Sequence, residues 1–139
     1  MEYWKDENQP IELFLKLFEE CKKESDVFEG LKKINQLIWY DFTENGPNCS
    51  VWVDTRGGNL CVGSGKPSEN PDLTLSMSLD LAHKAWSNKM SPMVAITTKK
   101  IRIKGNATSL LKLTPQLKRV AEIYNRVLEE NGLSNLILK

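Results

Sequence analysis

Residues 70–113 have the sequence NPDLTLSMSLDLAHKAWSNKMSPMVAITTKKIRIKGNATSLLKL, and this stretch decides the fold of the chain. Leu73, Leu75 and Met77 alternate with small polar residues, a pattern that predicts a strand buried on one face. Ser78 is a suitable cap for a following helix, and Asn88 tolerates the left-handed conformation that would end it. Almost no side chain here is chemically reactive. The stretch is therefore suited to enclosing apolar volume.

The second half of the stretch continues the same alternation of elements. Ser91-Pro92 predicts the start of a short second helix. Ile101 and Ile103 alternate with basic residues in a further strand, which Gly105 closes. A helix carrying leucines follows. If the two strands of this stretch pair in parallel, the helices between them form a right-handed crossover.

The flanking sequence predicts helices at both ends and three more strands between. Pro10 suits the first turn of an apolar helix, and Ser25 or Asp26 can cap a second helix. Strands beginning near residues 36, 50 and 60 are separated by turn signals at 45–48 and 56–59, as in an antiparallel meander. An amphipathic helix ends at Asn131-Gly132. These patterns predict one α+β domain over residues 1–139. It has a five-stranded mixed sheet with helices mainly on one face, enclosing an apolar cavity.

Composition excludes several functional classes. The chain has 139 residues, with 19 Lys and Arg against 18 Asp and Glu, so it lacks the basic excess of a nucleic-acid-binding protein. The first ten residues lack the apolar core of a signal peptide, which predicts a cytoplasmic protein. Three cysteines without metal-like spacing, Cys21, Cys49 and Cys61, are predicted to be packed thiols.

Residues capable of catalysis are scarce. His83 is the only histidine, and its place inside a helix predicts a partly exposed residue without a catalytic role. Gly65-Lys66 resembles a phosphate-binding loop, but Pro67 stands where that motif requires serine or threonine. We therefore expect neither an enzyme nor a protein that binds a cofactor or metal.

The basic cluster of Lys99, Lys100, Arg102 and Lys104 has two interpretations. Lysines on an edge strand discourage aggregation between sheet edges. The same residues can attract anionic lipid headgroups or a lipid carboxylate. The sequence leaves both interpretations open.

The apolar residues around the broken helices also allow two interpretations. Such residues usually form an ordinary core. Flexible methionines and short, interrupted helices instead favour a ligand cavity with a mouth that can open.

Residues 72–113 resemble the sterol carrier protein type-two family of lipid-transfer domains. Members have a Gly-Lys-Met/Leu-x-Pro turn followed by a Lys-x-x-Ile-x-Gly strand. Residues 88–92 (NKMSP) and 100–105 (KIRIKG) are similar to these motifs. Two positions depart from the family pattern, because Asn88 replaces a glycine and Lys99 stands where many members have another.

The resemblance implies a non-enzymatic carrier of a long apolar ligand such as a fatty acid, acyl-CoA, sterol or phospholipid. It implies headgroup contacts at Lys100 and Arg102, transient membrane contact, and a weaker contribution to the cavity from Tyr40. The residues expected to line the cavity are Trp86, Met90, Met93, Val94, Ile96, Ile103, Leu110 and Leu111.

A second function stays open from the same sequence. The fold would then serve as a protein-interaction or dimerisation module whose cavity is filled by its own side chains. The apolar residues 133–138 favour this alternative, since they can plug the cavity or cover a partner such as a second copy.

Overall fold

A five-stranded sheet forms the centre of the computed structural model, which describes residues 3–42 and 49–139. Its strands are β1 (Leu37–Asp41), β2 (Ser50–Asp54), β3 (Cys61–Ser64), β4 (Leu73–Ser76) and β5 (Arg102–Gly105). Their order across the sheet is β3-β2-β1-β4-β5. The turn predicted at residues 45–48 lies outside the described residues.

The pairing of the strands confirms a mixed sheet. β1–β2 and β2–β3 are antiparallel, as the predicted meander requires, and β1–β4 is parallel. β4 and β5 are antiparallel rather than parallel, so no crossover joins them. The reason lies in the register, in which Arg102 pairs with Ser76. The chain returns to the sheet beside the point where it left, and β5 therefore runs in the opposite direction.

Helices and the two faces of the sheet define the core. The α-helices are α1 (Asn8–Cys21), α2 (Ser25–Lys32), α3 (Leu79–Trp86), α4 (Pro92–Thr97) and α5 (Leu117–Glu130). Tyr40, Val51 and Leu75 lie in register on the inner face and are buried with the apolar sides of α1 and α5. Trp39 and Trp52, on the outer face, are only half-buried. Alternate burial along the strands follows from their two-residue period.

Capping hydrogen bonds confirm the predicted starts of α3 and α4. The Ser78 hydroxyl accepts from the Leu81 N–H at 3.1 Å, and the Ser91 hydroxyl from the Val94 N–H at 3.4 Å. The prediction for α2 was wrong, because Glu24 precedes the helix and provides no side-chain cap. The predicted leucine-bearing helix forms as a 3-10 helix, Ala107–Lys112, and the Asn106 side chain caps it.

Three non-glycine residues of the described chain adopt left-handed backbone, each after a short helix, and Asn35 follows α2 with φ 50°. Asn88 follows α3 with φ 57°, which confirms its predicted role, and Lys99 follows α4 with φ 63°. Lys99 thus adopts a conformation that disfavours side chains with a Cβ atom. No helix within the described residues is long and apolar enough to cross a bilayer.

Candidate functional site

An apolar pocket opens between the inner face of the sheet, the helices α3 and α4, and the segment that leads into α5. Its empty volume, including the open mouth, is about 590 Å³. Of its fourteen lining residues, only Tyr40 and Thr114 have polar side chains apart from the indole N–H of Trp86. The lining residues are Tyr40, Leu75, Met77, Ala82, Ala85, Trp86, Pro92, Met93, Ile96, Ile101, Leu110, Leu113, Thr114 and Leu117.

Regular helix and strand spacing places the lining side chains. Leu75 and Met77 are two residues apart and follow the inner-face alternation of β4. Ala82, Ala85 and Trp86 recur at the three- and four-residue spacing of one face of α3. Two of these three are alanines, whose small side chains leave space between α3 and the sheet. The pocket is therefore a space between regular helices and strands.

Aromatic rings close one end of the pocket. The ring centres of Tyr40 and Trp86 are 5.5 Å apart, and Phe18 lies 5.4 Å from Trp86 edge to face. Burial raises the pKa of Tyr40 well above that of an ordinary tyrosine, so its hydroxyl stays protonated. The indole N–H of Trp86 has no hydrogen-bond partner within the described residues. This wall is apolar and uncharged.

The structure places four of the eight sequence-predicted lining residues in the pocket. These are Trp86, Met93, Ile96 and Leu110. The other four, Met90, Val94, Ile103 and Leu111, lie outside the lining.

Local helix geometry explains two of these differences. Three residues complete a turn of a 3-10 helix, so Leu110 and Leu113 share a side while Leu111 points elsewhere and is 56% exposed. In α4, Met93 and Ile96 share the pocket side, and Val94 is 60% exposed. Met90 and Ile103 are half-buried against the core beside the pocket.

Most of the sheet-side lining was not predicted from the sequence. Tyr40 was expected only as a weak contributor, and Leu75 and Met77 were assigned to a strand without being assigned to the pocket. Their two-residue alternation was the signal that could have found them. Ala85 and Thr114 gave no such signal, because small or polar residues at those positions do not mark a cavity wall.

The predicted headgroup residues lie outside the pocket. Lys100 and Arg102 are exposed, and Arg102 begins β5, an edge strand of the sheet. Neither residue is among those that line the pocket. The edge-strand interpretation therefore fits their position, and a headgroup contact remains a prediction.

His83 corrects the expectation of a partly exposed side chain, because it is fully buried. Its Nε2 atom lies 2.8 Å from the carbonyl oxygen of Leu136, and its Nδ1 atom 2.7 Å from the hydroxyl oxygen of Tyr124. Burial lowers its pKa, which keeps the ring neutral. The C-terminal segment is thus attached to α3 and α5, and none of residues 133–138 lines the pocket.

Other candidate reactive groups do not form a site. Cys21 and Cys49 are buried, as predicted, but Cys61 is exposed at the edge of the sheet. Within residues 3–42 and 49–139, no three His, Cys, Asp or Glu residues lie close enough together to hold a metal ion.

Known proteins share parts of this sequence and its fold. Hydroxysteroid dehydrogenase-like protein 2 from Bos taurus is 36% identical over 88 residues, which cover 61% of this chain and 20% of that protein. The homologous protein of Xenopus tropicalis is 37% identical over 91 residues, covering 65% and 22%. The chain thus spans about a fifth of the length of these curated relatives.

A solved structure has the same fold. The solution structure of the sterol carrier protein domain 2 of Helicoverpa armigera aligns with a TM-score of 0.60 and 24% identity, covering 78% of this chain and 86% of that one. The SCP-2 sterol transfer family matches residues 14–122, a range that contains all five strands and every lining residue of the pocket. By this match, the chain belongs to the SCP-2 sterol transfer family.

Proposed function

We propose that this protein binds a long apolar molecule in the pocket and carries it without changing it chemically. The ligand class is fatty acid, acyl-CoA, sterol or phospholipid. The observation that carries the proposal is the lining itself, in which twelve of fourteen side chains offer no hydroxyl, charge or carboxamide. Family membership supports lipid or sterol binding and transfer.

Burial of methylene groups supplies the affinity. Each buried methylene contributes about 0.8 kcal/mol, so about ten of them give about 8 kcal/mol before the cost of association is subtracted. A gross value of that size sets about micromolar as the tightest affinity that burial of about ten methylenes can give. No specific polar contact is needed.

The absence of charge in the lining predicts how a charged lipid enters. No Asp, Glu, Lys or Arg lines the pocket, and the hydroxyl of Tyr40 stays neutral. Burying a carboxylate or phosphate there without a partner is costly. We therefore expect the chain to enter first and the charged headgroup to stay at the mouth.

Two neighbouring residues of α4 provide a matched test. Met93 lines the pocket and is 42% exposed, whereas Val94 lies outside the lining and is 60% exposed. In Met93→Arg, a cation next to the buried chain should weaken binding of a fluorescent, uncharged long-chain alcohol at least about tenfold, because no headgroup charge is present to pair with it. Val94→Arg should stay within about twofold, because it adds the same charge outside the lining.

Thermal unfolding and native mass spectrometry complete this test. Both variants should unfold within a few degrees of the unchanged protein, and the unchanged protein should retain copurifying lipid. Equal binding by the two arginine variants would exclude the pocket as the binding site. Delipidated protein that binds no long-chain ligand would overturn the proposal.

The interaction-module alternative has its own support. Met93, Val94 and Leu111 are exposed large apolar residues, which suit contact with a partner. Sedimentation of the delipidated protein separates the two functions. A concentration-dependent dimer that binds no long-chain ligand would favour the module, and a ligand-binding monomer would favour the carrier.

A further inference from the structure

Charge is distributed very unevenly along this nearly neutral chain. Residues 81–121 contain nine of the 19 basic residues and none of the 18 acidic ones. At the average composition of the chain, a stretch this long would contain about five acidic residues. The remaining residues hold ten basic and 18 acidic side chains. The chain therefore has one strongly basic segment, and the rest of the chain carries a net negative charge.

The basic segment contains α4, a helix at the surface beside the pocket. Ala95 is the only buried residue of its six. Met93 both lines the pocket and reaches solvent, and the adjacent Val94 is the more exposed of the two. An apolar surface thus continues from the pocket onto the outside of α4.

Lysines stand at both ends of this helix. Lys89 precedes it, and Lys99 and Lys100 follow it, all three exposed. The Lys99 N–H donates to the Ile96 carbonyl at 3.0 Å, and the Lys100 N–H to the Ala95 carbonyl at 2.8 Å. These bonds hold the backbone of both residues at the end of α4. We define the α4 face as Met93, Val94, Lys89, Lys99 and Lys100.

We infer that the α4 face docks the protein on an anionic lipid bilayer. Exposed apolar side chains flanked by lysines match a membrane surface, in which acyl chains lie beneath anionic headgroups. The acidic remainder of the chain is repelled by the same surface, so the two charges together orient the molecule. That the docked protein loads its pocket from the bilayer rests on the proposed function, whereas docking itself is independent of that function.

Vesicle cosedimentation tests the inference with the full chain. The probes are vesicles of phosphatidylcholine alone and with about 30% phosphatidylserine. The protein should bind the anionic vesicles more strongly, and added salt should weaken that binding. Lys89→Gln/Lys100→Gln should lower partitioning about 25-fold, at about fivefold for each lysine removed near the surface. Val94→Ser should lower it about fivefold by removing a membrane-inserted side chain.

Matched controls separate docking from net charge and from the pocket. Lys5→Gln/Lys23→Gln removes two exposed charges outside the basic segment and outside the α4 face, and it should therefore change partitioning less than about twofold. Fluorescent fatty-acid binding in solution should be unchanged in Val94→Ser and in Lys5→Gln/Lys23→Gln, which alter neither the pocket lining nor the predicted headgroup contacts. If the unchanged protein bound no fluorescent fatty acid, the proposed function would be refuted, whereas the vesicle result would still stand.

Three outcomes would overturn the inference. One is equal binding to neutral and anionic vesicles. Another is no binding to either, which would leave the α4 face to an acidic protein partner. The third is an equal loss of partitioning in the Lys5/Lys23 and Lys89/Lys100 variants, because non-specific attraction by net charge would then explain the binding.

Discussion

Replacing His83 with leucine should destabilise the fold strongly, although His83 has no proposed part in ligand binding. The side chain is fully buried, and its ring lies 4.6 Å from Tyr3 and 5.1 Å from Trp4, measured between ring centres. It therefore connects the N-terminal segment, α3, α5 and the C-terminal segment. Leucine keeps most of the apolar volume but removes both hydrogen bonds.

The geometry of the two hydrogen bonds fixes which ring nitrogen of His83 carries the proton and how much stability His83→Leu should lose. A carbonyl oxygen can only accept, so His83 Nε2–H donates to Leu136, and in the neutral ring Nδ1 accepts from the Tyr124 hydroxyl. His83→Leu loses both bonds and leaves a buried hydroxyl and a buried carbonyl without partners. The expected cost is roughly 3–5 kcal/mol in the free energy of unfolding. Tyr124→Phe loses one bond and should cost about 1–2 kcal/mol.

The lowered pKa of His83 adds a pH dependence with a defined sign. Desolvation by burial is its main cause, opposed by the hydrogen bond to Leu136 and by the nearby charge of Asp80, while Lys84 lowers the pKa further. The unfolded chain therefore binds a proton at higher pH than the folded protein does. The stability that the neutral His83 contributes is fully present above about pH 6.5, the ordinary pKa of histidine, and this contribution is lost as pH falls below that value. The loss has a limiting slope of about 1.4 kcal/mol per pH unit.

Urea unfolding followed by tryptophan fluorescence measures both effects. The unchanged protein, His83→Leu and Tyr124→Phe are compared between about pH 7.5 and 5. The unchanged protein should lose stability relative to His83→Leu as pH falls. In the Tyr124→Phe background, His83→Leu should cost about 1–2 kcal/mol less, because no hydroxyl is left without a partner. A cost below about 1 kcal/mol, or parallel pH profiles, would refute this reasoning.

Three further changes test other parts of the fold. Lys99→Gly should stabilise the protein by up to about 1 kcal/mol in thermal unfolding, because glycine adopts the left-handed backbone of residue 99 without strain. Lys100→Gly should not stabilise it, and equal effects of the two changes would count against strain at Lys99. Gly105→Ala should lower the free energy of unfolding in urea by more than about 2 kcal/mol, because the φ of Gly105 is 110° and a Cβ atom there would lie 2.3 Å from the Asp72 carbonyl oxygen. An unchanged urea midpoint would disprove that close approach. Of the three thiols, Cys61 alone should react rapidly with a thiol reagent near neutral pH, because burial raises the pKa of Cys21 to about 12 and that of Cys49 to about 11. Rapid reaction at all three thiols would contradict the burial of Cys21 and Cys49.

Local sequence patterns predicted elements well where the deciding interaction is short-range. Ser78 and Ser91 cap helices because their hydroxyls reach N–H groups three residues ahead, and Asn88 ends α3 because its side chain tolerates positive φ. The same logic failed for Leu111, which becomes exposed in a 3-10 helix. Helix type at a short, weakly packed segment depends on its neighbours, which one sequence does not specify.

The burial of His83 shows the other limit of sequence patterns. An isolated histidine on a helix carries no signal that distinguishes a surface position from a paired one. Its partners lie 41 and 53 residues away. Only folding brings these distant segments together, and the resulting loss of water makes the hydrogen bonds necessary.

The sequence by itself determined the α+β class, the antiparallel meander, the serine caps of α3 and α4 and the apolar character of residues 70–113, because each follows from local periodicity, turn signals or neighbours a few residues away. The tertiary structure alone decided which apolar side chains line the pocket, that β5 pairs antiparallel with β4, and that His83 holds the C-terminal segment. These features depend on which distant surfaces meet and where their packing leaves a gap. Periodicity identifies a buried face but does not identify what it faces.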